Sequence, residues 1–179
     1  ELSIDEATHM FRPFDVLNAS DALMYNLPFW KETVFVSVVD PGVGSTRRSI
    51  VVKTATGQLI VTPDNGTLTH IKRKYGIAEA RTIDETVNRL AGSEESYTFH
   101  GRDVYAYTGA RLAAGIISFE QVGPAVPPES VIELPVVEPV CHENNVEGTI
   151  DVLDIRFGSL WTNIPREMFK SLGIQVGQR

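Results

Sequence analysis

Residues 33–39 read TVFVSVV, and the loop Asp40-Pro41-Gly42-Val43-Gly44 follows at once. Seven residues are too few for a buried helix, and the β-branched and aromatic content favours a strand. A strand with almost no polar alternation is buried on both faces, as in the central strands of sheets covered by helices above and below. The class expected from this run is α/β.

The neighbouring segments agree with it. Apolar positions Val16, Leu17, Ala19, Ala22, Leu23 and Tyr25 recur at helical spacing, which predicts a helix over 15–27 with Pro13 near its start and Pro28 at its end. Strands are expected over 49–54 and 58–62, joined by a turn at Thr56-Gly57. A helix over 67–75 would be closed by Gly76, and another over 101–114 would pack through Val104, Ala110, Leu112 and Ala113. Residues 82–90 show no clear period. Pro124, Pro127, Pro128, Pro135 and Pro139 then interrupt regular structure. The expected organisation is an α/β domain over 1–123, a Pro-rich linker over 124–139, and a mainly β domain beginning at 140, with strands over 146–155 and 160–164.

Several function classes are disfavoured. The 179 residues carry a net charge of −7, which makes the chain a poor candidate for nucleic-acid binding, since that needs a basic face to meet phosphates. The single cysteine, Cys141, forms neither an internal disulfide nor a Cys-based zinc site, which fits a cytoplasmic protein. No apolar stretch approaches the roughly 20 residues of a membrane span. His9, His70, His100 and His142 have no paired metal-ligand spacing, so no metal is expected.

Three polar clusters flank the apolar elements. Asp40 stands at the end of the first strand, two glycines let a ligand approach the backbone, and Arg47 and Arg48 return over the loop with planar donors. A tight turn capped by Asp40, with both arginines in solvent, would use the same residues. Pro63-Asp64-Asn65-Gly66 is turn chemistry and needs no function to explain it. In Phe99-His100-Gly101-Arg102-Asp103, His100 can shuttle a proton near neutral pH, while Arg102 and Asp103 can equally form a local ion pair.

Taken together and in order, VFVSVVDPGVG, the arginine pair, TPDNG and FHGRDVYA resemble the SAM hydroxide adenosyltransferases, relatives of the SAM-dependent fluorinase and chlorinase. Thr8-His9 and Pro13-Phe14-Asp15-Val16 upstream, and Arg156-Phe157-Gly158-Ser159 and Trp161-Thr162-Asn163-Ile164 downstream, extend the resemblance over 8–164. It implies a three-layer α/β sandwich followed by a small β-barrel, in a homotrimer whose active sites lie between subunits. It also implies S-adenosyl-L-methionine as substrate, attacked by water at the ribose C5′ to give adenosine and L-methionine, with no cofactor. By motif position Asp40, Arg47 and His100 orient and activate the water. Phe14 stands where the family places an aromatic near the ribose, and Asp154, Phe157, Ser159 and Trp161 stand where it contacts SAM. The family's N-terminal strand, with an Asp on the ribose hydroxyls, and most of its barrel lie outside the resemblance.

Departures from the pattern are Ser159, where the family has Asn, and the placing of Asp154 and Trp161, which resembles the halogenases. A halogenase replaces the catalytic Asp with an aromatic and has a small hydroxyl residue at the position of Gly101. A carboxylate at Asp40 repels a halide. A non-catalytic SAM or adenosine sensor would have lost Asp40 or His100, and both are present.

Overall fold

In the computed structural model, which describes residues 2–10 and 12–173, the first helix begins where its cap dictates. The Asp15 carboxylate accepts a hydrogen bond from the Asn18 amide at 3.0 Å, and α1 runs Val16–Asn26. Pro28 falls in a short 3₁₀ turn, Leu27–Phe29, that ends the helix. The strand expected over 33–39 is regular only over β1, Val34–Val36.

β2, Ser49–Thr54, and β3, Leu59–Pro63, form an antiparallel pair, and the turn between them holds Gly57 at φ 95°. Every residue of Ile50-Val51-Val52 and Ile60-Val61 is fully buried. Alternation sends Ile50, Val52 and Ile60 to one face, against Leu23 of α1, Leu27 of the 3₁₀ turn and Ile71 of α2, Thr69–Lys74. Val51 and Val61 face the other side, against Val104, Tyr105 and Leu112. Each such side chain contributes about 1.5–3 kcal/mol of gross burial, so these two strands anchor both cores. Leu112 belongs to α3, Tyr107–Ala113, and α3 packs so closely on β1 that a Cβ at Gly109 would lie 2.5 Å from Val36 Cγ2.

The sheet order is β1-β3-β2-β4-β5, with β1 parallel to β3 and the other pairs antiparallel. β1 is therefore an edge strand among the described residues, not the central strand its composition implies, and Val36 and Val38 are partly exposed. β4, Ile77–Thr82, was not expected: Ala78 and Glu79 reach solvent side by side and Ala80 alone is buried, so pairing with β2 is what makes it a strand. The helix expected over 101–114 is split. Gly101–Ala106 is π-helical and only then does α3 begin. Asp103 N and Arg102 N both bond to Phe99 O, and Gly101 passes close to Val38.

The chain divides into two units, Glu1–Leu134 and Pro135–Arg179. Residues 124–134 are thus not linker: β5, Ala125–Val126, adds to the sheet, and Val131 is buried in the α1–α2 core. Prolines are compatible with this because β5 is an edge strand. In the second unit β6, Val140–Cys141, pairs with β7, Val146–Glu147. β8, Ile150–Asp154, pairs with β9, Ser159–Thr162, and α4, Arg166–Ser171, follows. Among the described residues these are two separate two-stranded ladders and not a closed barrel. The architecture is mixed α/β. Among the described residues no helix is long and apolar enough to cross a membrane.

Candidate active site

The end of β1 and the start of β2 bring the first polar cluster together. Two tight turns, Val43 N to Asp40 O and Ser45 N to Gly42 O, fold the loop back, with Gly44 at φ 77°. The fold-back returns Arg47 to Asp40. Nε donates to Oδ1 at 2.9 Å and Nη2 to Oδ2 at 2.5 Å, so one guanidinium edge grips one carboxylate edge. The Asp40 side chain is 5% exposed and that of Arg47 9%. The alternative in which the arginines float in solvent is therefore excluded for Arg47.

Asp40 also lines a cleft of about 510 Å³ between residues 7–9 and 12–14, one face of α1, and the end of β1 from Phe35 onward. Leu23, Phe35 and Val38 make its wall apolar, and Thr8, His9, Arg12, Asn26 and Ser37 supply polar groups. Phe14 lines it too. Its ring is exposed and its backbone sits at φ 67°, a region that costs an aromatic residue about 1–3 kcal/mol and marks functional positions. Apolar walls with a few directed polar groups are the usual form of a small-molecule site.

A second chain of bonds runs inward from Arg47. Its Nη1 donates to Ser49 Oγ at 2.9 Å, Ser49 Oγ donates to Glu85 Oε1 at 2.9 Å, and Tyr105 OH lies 3.2 Å from the same Ser49 oxygen. With its single proton given to Glu85, Ser49 receives the Tyr105 hydroxyl as an acceptor. The other Glu85 oxygen meets Arg89 Nη2 at 3.1 Å and His100 Nε2 at 3.4 Å. His100 Nδ1 lies 2.9 Å from the Tyr97 carbonyl, which assigns its proton to that nitrogen. Burial pushes the Tyr105 phenol well above its ordinary 10.0, partly offset by the Ser49 hydrogen bond and the Arg47 charge.

His100 thus joins Asp40 and Arg47 through Glu85 and Ser49. Neighbouring Arg102 and Asp103 form the local ion pair, Nε to Oδ1 at 2.6 Å, and this hydrogen bond holds the Asp103 carboxyl below its ordinary range. The PDNG turn is structural. Asp64 accepts Arg48 Nε at 2.8 Å and the Ile132 amide at 2.9 Å, and Asn65 Nδ2 donates to the Val39 carbonyl at 2.9 Å. In the second unit Asp154, Phe157, Ser159 and Trp161 share the β8–β9 hairpin. Asp154 Oδ1 accepts the amides of Arg156 and Phe157 at 3.2 and 3.4 Å, Phe157 is exposed, and Asp154 pairs with Ser159 across the ladder. No three His, Cys, Asp or Glu among the described residues converge as a metal site.

Residues 1–123 match the family of SAM hydroxide adenosyltransferase N-terminal domains. The chain belongs to the SAM hydroxide adenosyltransferase family. It is 39% identical over 112 residues to the (R)-S-adenosyl-L-methionine hydrolase of Methanocaldococcus jannaschii, covering 63% of the chain and 41% of that protein. It is 36% identical over 168 residues to the hydrolase of the same name from Salinispora arenicola, covering 93% of the chain and 62% of that protein. An uncharacterized conserved protein from Thermotoga maritima superposes with a TM-score of 0.87 at 40% identity, over 97% of the chain and 65% of the other. The chain thus spans less than two thirds of the length of these relatives.

No local pattern in the sequence marks Ser49, Glu85, Arg89 or Tyr105 as part of this cluster. Glu85 and Arg89 stand four residues apart in the segment without a period, and Ser49 reads as the first residue of a strand. Ser49 meets Glu85 across 36 positions and Tyr105 across 56, a proximity that no local pattern encodes.

Proposed function

We propose that the chain carries part of the active site of an adenosine-forming SAM hydrolase. The observation that carries this reading is the Asp40 carboxylate, buried on the cleft wall and gripped along one edge by Arg47. A fixed negative edge orients a water by accepting its hydrogen bond, and it repels a halide competing for the same place. The relatives named as SAM hydrolases support the same reading.

The sulfonium of SAM is a good leaving group, so the site's task is to present water in line with the C5′–S bond. The C5′–O bond forms, the C–S electron pair returns to sulfur, methionine departs as a neutral thioether, and one proton is released. Asp40 holds the water, Arg47 holds the plane of Asp40, and His100 takes part in receiving the proton. Phe14 packs against the ribose. Asp154, Phe157, Ser159 and Trp161 contact the adenine and methionine parts of SAM. In the whole protein the first unit is a three-layer sandwich, the ladders of the second open a small β-barrel, and a cytoplasmic homotrimer pairs the two units of different subunits at each site. SAM is the substrate, and neither cofactor nor metal takes part.

The test is incubation of the full-length protein with SAM in ¹⁸O-water, with and without chloride, read by mass spectrometry. Adenosine labelled at its 5′-hydroxyl, together with methionine, is the expected result. A 5′-halo-adenosine, or SAM bound and unchanged, overturns the reading.

A further inference from the structure

His100 Nε2 lies 3.4 Å from Arg89 Nη2, a permanent donor, and 3.4 Å from Glu85 Oε2, an acceptor. With Nδ1–H committed to the Tyr97 carbonyl, the neutral ring accepts at Nε2 from Arg89, and the protonated ring donates at Nε2 to Glu85. Both protonation states therefore have a partner without any movement of the ring. The side chains of His100 and Arg89 are less than one tenth exposed, and that of Glu85 is about one third exposed.

We propose that Glu85 is a positioning residue of the hydrolase site, holding the protonated form of His100 on one carboxylate oxygen and the Arg47–Asp40 pair, through Ser49, on the other. Charge supports this. Asp40 and Glu85 stand against Arg47 and Arg89, so the cluster is balanced when His100 is neutral and gains one positive charge when the ring is protonated. Without the Glu85 carboxylate, two buried guanidiniums would face one carboxylate and an imidazolium, with Asp103 already engaged by Arg102. Glutamine has a single acceptor oxygen and cannot serve both Ser49 and His100. Tyr105 faces the same cluster, but its phenol, kept neutral by burial, supplies no charge.

The proposal rests on the hydrolase reading, and the experiment separates the two. Full-length wild type, Glu85→Gln and Glu85→Asp are compared for SAM turnover against pH and for the ¹⁵N-imidazole NMR spectrum of His100 without substrate, assigned with His100→Asn. Glu85→Gln is expected to lower kcat by about 10²-fold, the scale of one positioned acid–base partner, with KM for SAM within about threefold. Its kcat–pH profile moves toward acid as the protonated ring loses its hydrogen-bond acceptor, and a slowly exchanging Nε2–H signal present in wild type at low pH disappears. Glu85→Asp restores charge and is expected to recover part of each. Wild-type kcat, profile and ring signals in Glu85→Gln overturn the proposal, as does a parallel loss of kcat and SAM affinity that Glu85→Asp does not relieve. Should Glu85→Gln not fold, Ser49→Ala, which cuts the link to Arg47 while keeping the carboxylate, must lower kcat with KM unchanged. A wild-type protein that leaves SAM intact sinks the hydrolase reading, while the ring spectra still decide on Glu85.

Discussion

Asp40→Asn should cost stability as well as turnover, and the amount follows from the surroundings of Arg47. Breaking a buried ion pair by removing one partner costs about 3–5 kcal/mol when the other charge is left without compensation. Here both side chains are less than one tenth exposed, so water does not relieve the orphaned guanidinium. Arg47 nevertheless keeps Ser49 Oγ at 2.9 Å and lies 5.5 Å from the centre of the Tyr105 ring, and asparagine retains one acceptor oxygen. These residual partners bring the expected loss to or below the lower limit of that range, about 2–3 kcal/mol. Arg47→Gln together with Asp40→Asn removes both charges and should be less destabilised than the sum of the single variants by about 1.5 kcal/mol or more. Trp30, packed edge-on to Phe35 in the first unit, reports unfolding in urea by fluorescence once every other tryptophan, Trp161 among them, is replaced by phenylalanine. With m of about 2 kcal/mol/M, Asp40→Asn should lower the midpoint by roughly 1–1.5 M. Strict additivity in the double variant, or an unchanged midpoint in Asp40→Asn, would refute the claim that this pair is energetically coupled.

Further outcomes follow from the same contacts. In the full-length protein Asp40→Asn and His100→Ala should each lower kcat by about 10²–10⁴-fold while leaving SAM binding measurable by calorimetry. Loss of SAM binding with kcat unchanged would count against their assignment. Asp64→Ala should destabilise by about 2 kcal/mol, less than a fully buried pair, because Arg48 is one third exposed and can turn to water. Urea midpoints check this, and turnover should fall far less than in Asp40→Asn. Gly109→Ala should cost about 1–3 kcal/mol by pushing α3 off Val36, again read by urea midpoints. Because burial raises the Tyr105 phenol above its ordinary 10.0, stability from its neutral form is complete below that pH and declines as pH rises beyond it. Tyr105→Phe should therefore lose less stability than wild type between neutral pH and the alkaline range, measured by thermal melts.

The site was legible where its residues are close in sequence. Asp40 and Arg47 are seven positions apart on one loop, and a strand, a glycine turn and a returning arginine are enough to bring them together. Phe14 is separated from Asp40 by a helix, and its place on the same cleft comes from α1 packing across the sheet. The network reaching His100 was not legible, because Glu85 lies in a segment with no period and meets Ser49 only after β2 and β4 have paired.

Legible in the amino-acid sequence were two strands joined by a turn over 49–62, a helix within 15–27, and polar clusters after the apolar strands. Each rests on local rules of periodicity, capping and turn chemistry. Tertiary packing set the rest: β1 lies at the sheet edge among the described residues, β4 is a strand, and residues 124–134 complete the first unit. The same is true of the joining of His100 to Arg47. Strand order and long-range hydrogen bonds are set by which surfaces meet, and residues such as Ser49 and Glu85 carry no mark of their partner until the sheet has brought them within 2.9 Å.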